Sequence, residues 1–445
     1  MSNKHLQWLH DELPSLVKAG ILPADVADKL RQHYGPVPAR AGKNWVLLIF
    51  GILGAALIGA GVILLVAHNW DDLSRPVRTA LAFAPLLAAI GFAGWVLTYR
   101  SASAPWCEGV ATAWALTIGA TISLVAQIYQ IHGDPARFFL TWILLALPIV
   151  YVLRSSVAAS LYFIGTTTWV GCTVWPHHRA TSLWYWGLLV LVLPHLAGVW
   201  RANRYGWRAG LTGWVLAICL CIGTGMSLQG ALHGTWIVAY TGLLALMYLT
   251  GKRWFDAAPT LWQRPWQTIG AVGLGEVALN LTYQWPWKEI HSQWARQQQV
   301  WTSNPIMIAG NLLAAGLAIA AIIAVARDLR RIGWNNIDRL LVGLAPVCGV
   351  AGYVAAATRE MDSLPQALFN VYLFVLGLGA LIAGIRGNKL GTVNAGLVAL
   401  AALIVARFFD SELTFLARGL AFIGIGIGFL ATNVVMLRRK GAVAQ

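Results

Sequence analysis

Apolar runs of roughly 20 residues follow one another from residue 45 almost to the C-terminus. A helix needs about 20 apolar residues to cross the hydrocarbon core of a bilayer, because it rises only about 1.5 Å per residue. The chain of 445 residues is 58% hydrophobic and only 11% charged, whereas soluble domains carry about 25% charged residues. This much apolar surface requires lipid around it. The sequence therefore predicts an all-α, polytopic transmembrane helix bundle.

About fourteen transmembrane spans are predicted, within a transmembrane domain that covers residues 45–440. Their predicted limits are 45–67, 78–98, 107–128, 138–153, 156–175, 183–200, 207–229, 233–250, 266–283, 305–326, 338–357, 366–385, 388–409 and 415–437. Lys and Arg are enriched in cytoplasmic segments of membrane proteins. With the N-terminus inside, the inner segments and span edges hold 23 of the 32 Lys and Arg residues, and the outer ones hold 9. We therefore expect a protein of the bacterial inner membrane with both termini in the cytoplasm.

Residues 1–44 are polar and basic, without the early apolar segment of a cleavable signal peptide. Their apolar side chains recur at helical spacing on both sides of Gly20, and Pro23 suits the first turn of a second helix. This pattern predicts a cytosolic amphipathic helical hairpin, whose expected role is packing or contact with a protein partner.

The charge and cysteine patterns exclude several other classes of protein. The net charge of +15 comes from short basic clusters between apolar runs, which argues against nucleic-acid binding. The five cysteines lie within or at the ends of apolar runs, so neither a disulfide framework nor a metal site is expected. No nucleotide-binding or metalloprotease motif occurs, and no cofactor is predicted.

Three blocks of the sequence resemble a family of predicted bacterial membrane proteins, domain of unknown function 2157. They are the hairpin with Ala19-Gly20-Ile21 and Tyr34-Gly35, the stretch 51–78 with GAGVILLVAHNWDDL, and the stretch 119–154 with SLVAQIYQIHGDPARFFLTW. The C-terminal stretch ARFFDSELTFLARGLAFIGIG is also similar to the ending of that family. The resemblance implies a membrane protein and implies no particular activity.

Glu276 is the most informative single residue, because an ionisable side chain within a span costs ~2.5–3.5 kcal/mol on insertion scales. Asn280 and Gln284 follow at four-residue intervals and extend a polar stripe toward the predicted outer surface. Gly270, Gly273 and Gly275 precede it, which permits close helix packing or local unwinding. The stripe predicts a protonatable coupling or substrate site, and the alternative is a structural hydrogen-bond node between helices.

A second set of polar residues lies at the predicted outer rim of the bundle. Carboxylates and His can hold a divalent metal ion, and Arg can bind a phosphate. The alternative is structural, because Asp caps helices in short loops. The rim candidates for a ligand site are His68, Asp71, Asp72, Gln127, Tyr129, His132, Asp134, Arg137, Arg407 and Asp410.

The outer loop 284–304 contains four tryptophans, and Trp287, Ile290, Trp294 and Trp301 share one helical face. This pattern predicts an amphipathic helix in the membrane interface, and the alternative is a lid over a lipid or sugar site. His195 follows Pro194 in a predicted span, where we expect a kinked helix and a His that serves packing, with a proton relay as the alternative.

The leading hypothesis for function is an inner-membrane transporter or lipid flippase with an outward-opening polar cleft, and membrane lipids or a small molecule as its partners. It rests on many spans, little soluble mass and the outward placement of polar residues. One alternative is a membrane glycosyltransferase that uses a polyprenyl-linked donor, with Asp71 and Asp72 in the first outer loop. The other alternative is a non-catalytic assembly or sensor protein that acts through the hairpin.

Overall fold

The computed structural model describes residues 12–34, 70, 73–174, 180–228, 234–290, 305–332, 337–358, 363–387, 389–410, 419, 423 and 426–427. All regular secondary structure in this part of the chain is helical. The chain divides into two compact units, residues 1–78 and 79–445.

The first unit contains a pair of short helices, α1 (12–18) and α2 (Ala24–Tyr34). Between them Gly20 has a φ of +69°, a left-handed conformation that glycine adopts without steric cost. This described part agrees with the predicted pair of amphipathic helices. The predicted domain boundary between residues 44 and 45 lies outside the described residues.

The longer helices follow from residue 75 onward and alternate with short connections. They are α3 (Arg75–Tyr99), α4 (Ala104–Ile128), α5 (Pro135–Val152), α6 (Ser156–Val174), α7 (Trp184–Val190), α8 (Leu193–Asn203), α9 (Trp207–Ser227), α10 (Trp236–Phe255), α11 (Pro265–Asn280), α12 (285–290), α13 (Pro305–Ile332), α14 (Ile337–Thr358), α15 (Ser363–Arg386) and α16 (Leu390–Asp410).

Nine helical segments of the described part are long and apolar enough to cross a membrane. Each of the twelve spans predicted between 78 and 409 coincides with a described helix or helix pair, with limits that differ by a few residues. The predicted first span, 45–67, lies outside the described residues, and only residues 419, 423 and 426–427 of the last span are described. The total of fourteen and the orientation of the termini stay predictions.

Prolines and polar caps explain where several of these helices begin. Asp134 accepts a hydrogen bond from the Ala136 backbone N–H at 3.0 Å, and Pro135 occupies the first turn of α5. Pro194 occupies the first turn of α8 and separates it from α7, so the predicted span 183–200 is two helices joined at 191–192. This break is the kink expected from Pro194.

Two hydrophobic clusters form the core of the second unit. The first is built from α3 to α9, and the second from α9 to α16. Helix α9 contributes to both, with Leu216 and Cys219 in the first and Ala217 in the second. Helix α10 is buried along most of its length, so it is the central element of the second cluster.

Glycine permits α10 and α11 to pack with their backbones in close contact. A Cβ atom at Gly270 would lie 2.5 Å from the backbone nitrogen of Tyr248 and 2.7 Å from the backbone oxygen of Leu244. Helix α11 is continuous through Gly270, Gly273 and Gly275. Of the two roles predicted for these glycines, the structure shows close packing at the first two and no local unwinding.

We expect Gly270→Ala to destabilise the folded protein by about 1–3 kcal/mol, because the added methyl group would push two backbones apart. Gly275→Ala is the matched control on the same helix, since no atom lies within 4 Å of a Cβ there. The control should be neutral or slightly stabilising, because alanine favours the helix. Thermal unfolding of both purified variants measures the difference, and equal melting temperatures would refute the close contact.

Candidate functional site

Helix α11 ends inside the protein and is followed by a buried break in the helical backbone. Its 16 residues span about 24 Å, and the short helix α12 begins only after the non-helical residues 281–284. Leu281 and Thr282 in this break are fully buried. Backbone polar groups that are buried without helical partners need other hydrogen-bond partners, because an unpaired buried group is costly.

Side chains from neighbouring elements satisfy the backbone groups of this break. The indole N–H of Trp287 donates to the Leu281 carbonyl at 2.9 Å, and the side-chain amide of Asn370 donates to the Thr282 carbonyl at 3.3 Å. The guanidinium of Arg407 donates to the Thr282 hydroxyl at 3.2 Å and lies 5.0 Å from the centre of the Tyr283 ring. Polar groups from α12, α15 and α16 therefore meet at this break.

Glu276 and Asn280 lie next to this break, in the last two turns of α11. The Asn280 side-chain amide donates to the Glu276 carboxylate at 2.6 Å and to the Glu276 carbonyl at 3.1 Å. Glu276 is exposed and Asn280 is partly exposed. The structure thus brings two members of the predicted stripe into direct contact. At the rise of a helix, Asn280 precedes Thr282 by about 3 Å and Glu276 precedes it by about 9 Å.

The third member of the stripe and the loop that follows it differ from the prediction. Gln284 lies beyond the end of α11 in the break, where its side chain is exposed. Trp287 has no exposed surface and packs against Phe369 with ring centroids 5.6 Å apart, and Ile290 is also buried. These two residues therefore face the protein core, so the predicted apolar face of residues 285–290 contacts protein. The placement of this helix in the membrane interface stays a prediction. Trp294 and Trp301 lie outside the described residues.

The predicted outer rim is only partly described. Asp134 is a helix cap, as the structural alternative predicted, and the Tyr129 hydroxyl lies 3.2 Å from the Thr79 hydroxyl. The side chains of Gln127, His132 and Arg137 are exposed. No group of three or more His, Cys, Asp or Glu residues in the described part of the chain is arranged to hold a metal ion.

Other rim candidates cannot be placed beside these. His68, Asp71 and Asp72 lie outside the described residues, as does the side chain of Asp410. Of the rim set, Arg407 alone is brought by the described structure to the break after α11. The ligand site proposed for the rim and the glycosyltransferase alternative that depends on Asp71 and Asp72 stay predictions.

A buried carboxylate, which the sequence analysis did not select, joins three helices at the opposite end of the bundle. Glu108 accepts hydrogen bonds from the backbone N–H groups of Ser156 at 3.0 Å and Val157 at 2.9 Å, and from the Ser155 hydroxyl. Arg208 on α9 forms an ion pair with it at 2.7 Å and donates to the Arg154 carbonyl. Glu108 therefore both caps the start of α6 and neutralises the positive charge of Arg208.

A second network at this end connects α10 with α14. Lys252 forms ion pairs with Asp338 at 2.9 Å and with Asp256 at 3.5 Å, and the Tyr248 hydroxyl donates to Asp338 at 2.9 Å. Arg339 and Asp328 form a further pair at 3.2 Å between α14 and α13. We call the end of the bundle that carries these pairs and the Glu108–Arg208 pair the ion-pair end.

The sequence contained only weak signals for these networks. Glu108 falls at the edge of a predicted span, and Lys252 and Asp256 are four residues apart on one helix. Arg208 is 100 residues from Glu108 along the chain, and Asp338 is far from Lys252. Such partners come together only through the packing of the helices.

Comparisons with known proteins agree with the membrane assignment. Residues 14–159 match the family model of the predicted membrane protein family domain of unknown function 2157. No curated protein and no solved structure matches the chain. Together with the long apolar helices, the family match identifies a multi-pass membrane protein.

Proposed function

We propose that this protein is a proton-coupled transporter of the bacterial inner membrane, with its coupling and substrate site at the break after α11. Both termini are placed in the cytoplasm, and this orientation is supported by the distribution of Lys and Arg along the sequence. In this orientation the break lies near the outer surface and the ion-pair end faces the cytoplasm.

The buried helix break is the observation that carries the proposal. Discontinuous helices are a recurrent feature of transporter binding sites, because their exposed backbone groups and helix ends can contact ions and polar substrates. Here the break is surrounded by Arg407, Asn370 and the Glu276–Asn280 pair. An exposed carboxylate on a predicted span requires water or a polar ligand beside it, since lipid alone would penalise it heavily.

Glu276 is the coupling group in this proposal. Protonation would remove its charge while Asn280 still holds the carboxyl group in place. The two protonation states then favour different surroundings, one aqueous and one apolar, which links proton binding to the opening and closing of the site. A lipid and a small polar solute both remain within this scheme as substrates.

Thiol labelling tests the water-filled cleft. Asn280→Cys should react with a membrane-impermeant thiol reagent in intact spheroplasts, because thiolates form in water and not in lipid. The control is Val272→Cys on the same face of α11, whose native side chain is 67% exposed. It lies about 12 Å deeper along the helix axis and should react much more slowly. Equal protection of both cysteines would contradict the cleft.

Proton uptake tests the function. Proteoliposomes loaded with a pH-sensitive dye and energised by a potassium diffusion potential should acidify, and Glu276→Gln should slow this at least tenfold by removing the titratable group. Glu289→Gln, the same change on an exposed residue of α12, should leave the rate unchanged. Wild-type protein that matches empty liposomes, or Glu276→Gln that matches wild type, would overturn proton coupling.

A further inference from the structure

The connections between α8 and α9 and between α10 and α11 lie side by side at the ion-pair end. The side-chain amide of Gln263 donates to the Tyr205 carbonyl at 2.7 Å, and the indole N–H of Trp214 donates to the Trp262 carbonyl at 2.9 Å. Trp214 and Trp262 also stack, with centroids 6.2 Å apart. These contacts join the two connections into one continuous surface.

Trp200 connects the same surface to the ends of α10 and α11. Its ring makes edge contacts with Trp254, Phe255 and Trp266, with centroid distances of 6.2, 6.0 and 5.9 Å. Trp254 and Trp262 keep 46% and 49% of their surface exposed. The aromatic cluster is therefore anchored on its inner side and open on its outer side.

Exposed arginines are direct chain neighbours of two of these tryptophans, Arg201 of Trp200 and Arg253 of Trp254. The surface is formed by Arg201, Arg204, Trp207, Arg253, Trp254 and Trp262, all of which are exposed. The acidic residue of the connection between α10 and α11, Asp256, is paired with Lys252. The exposed charge of this surface is therefore positive, and we call it the indole–arginine surface.

We infer that the indole–arginine surface binds an anionic phospholipid, with its phosphate at the arginines and its glycerol and upper acyl chains against the indoles. Helix α8 ends at this surface and α9 begins there, and both belong to segments that are long and apolar enough to cross a membrane. The surface therefore lies at a membrane–water interface. Tryptophan accumulates at that level because its ring is apolar and its N–H is polar. Basic residues next to spans attract anionic lipid headgroups. This inference is independent of the proposed transport activity.

The test compares lipids and variants by thermal unfolding of the full chain in detergent. Dioleoylphosphatidylglycerol should raise the melting temperature, whereas dioleoylphosphatidylcholine should not. Because the stabilisation grows with the ratio of lipid concentration to Kd, the lipid concentration that produces a fixed rise reports the affinity. In the triple variant Arg201→Gln, Arg204→Gln and Arg253→Gln that concentration should rise at least tenfold, because three headgroup contacts are lost.

The matched control replaces three exposed arginines on other helices of the same end, Arg327→Gln, Arg330→Gln and Arg386→Gln. It should retain the wild-type response to dioleoylphosphatidylglycerol. An equal loss in both triple variants would show general charge attraction and overturn the site. An equal effect of inorganic phosphate would identify a free-anion site and also overturn the lipid assignment. If the first triple variant does not fold, Arg253→Gln and Arg386→Gln provide the same comparison.

Discussion

Glu108→Ala is expected to destabilise the folded protein by about 3–5 kcal/mol, the usual cost of removing one member of a buried ion pair. The carboxylate side chain is 7% exposed, and that of Arg208 is 30% exposed. Its loss leaves Arg208 without its counter-ion and leaves two backbone N–H groups at the start of α6 without an acceptor. Buried donors that lose their acceptor carry the full cost of desolvation.

Two further variants separate the ion pair from the helix cap. Arg208→Gln removes the charge partner and the hydrogen bond to the Arg154 carbonyl. We expect a cost of about 1–2 kcal/mol, because the Glu108 carboxylate keeps its donors at Ser156 and Val157. Asp134→Ala removes the side-chain acceptor of the Ala136 N–H at the start of α5 and should cost about 1 kcal/mol. Unfolding in detergent measures all three, and a cost for Glu108→Ala below that of Asp134→Ala would contradict the network.

The second large effect is expected for Lys252→Met, at about 3 kcal/mol. The ammonium group of Lys252 lies between two carboxylates and 5.9 Å from the centre of the Tyr248 ring. Without it Asp338, whose side chain is 18% exposed, is a poorly solvated charge at the start of α14 and close to a second carboxylate. Like charges in such a setting repel strongly.

The double variant Lys252→Met, Asp338→Leu distinguishes charge imbalance from general damage to packing. Replacing both members of a buried pair with apolar residues is often neutral, so the double variant should recover at least half of the lost stability. Chemical unfolding of the single and double variants gives the coupling free energy. If the stability losses of Lys252→Met and Asp338→Leu simply add in the double variant, the Lys252–Asp338 pair contributes no stability and the assignment is wrong.

The helices themselves were determined by the sequence. The long apolar runs of α3 and α13 can be stable in lipid only as helices, because a helix satisfies its own backbone hydrogen bonds. Their limits followed from local signals, among them Asp134 before Pro135 and the break at Pro194. The candidate site was partly predictable for the same reason, since the spacing of Glu276 and Asn280 puts them on one helical face.

The partners of those helices were decided by the tertiary structure. Nothing local indicates that Arg407 would contact Thr282, or that Glu108 would bind Arg208, because these residues are separated by 125 and 100 positions. The tryptophan spacing predicted an apolar helical face over residues 285–290, and in the structure this face is covered by protein, since Trp287 is buried in the core. Periodicity identifies an apolar face but not what covers it, since lipid and protein interior are equally apolar. Helix packing decided which apolar faces became core and which distant polar groups met.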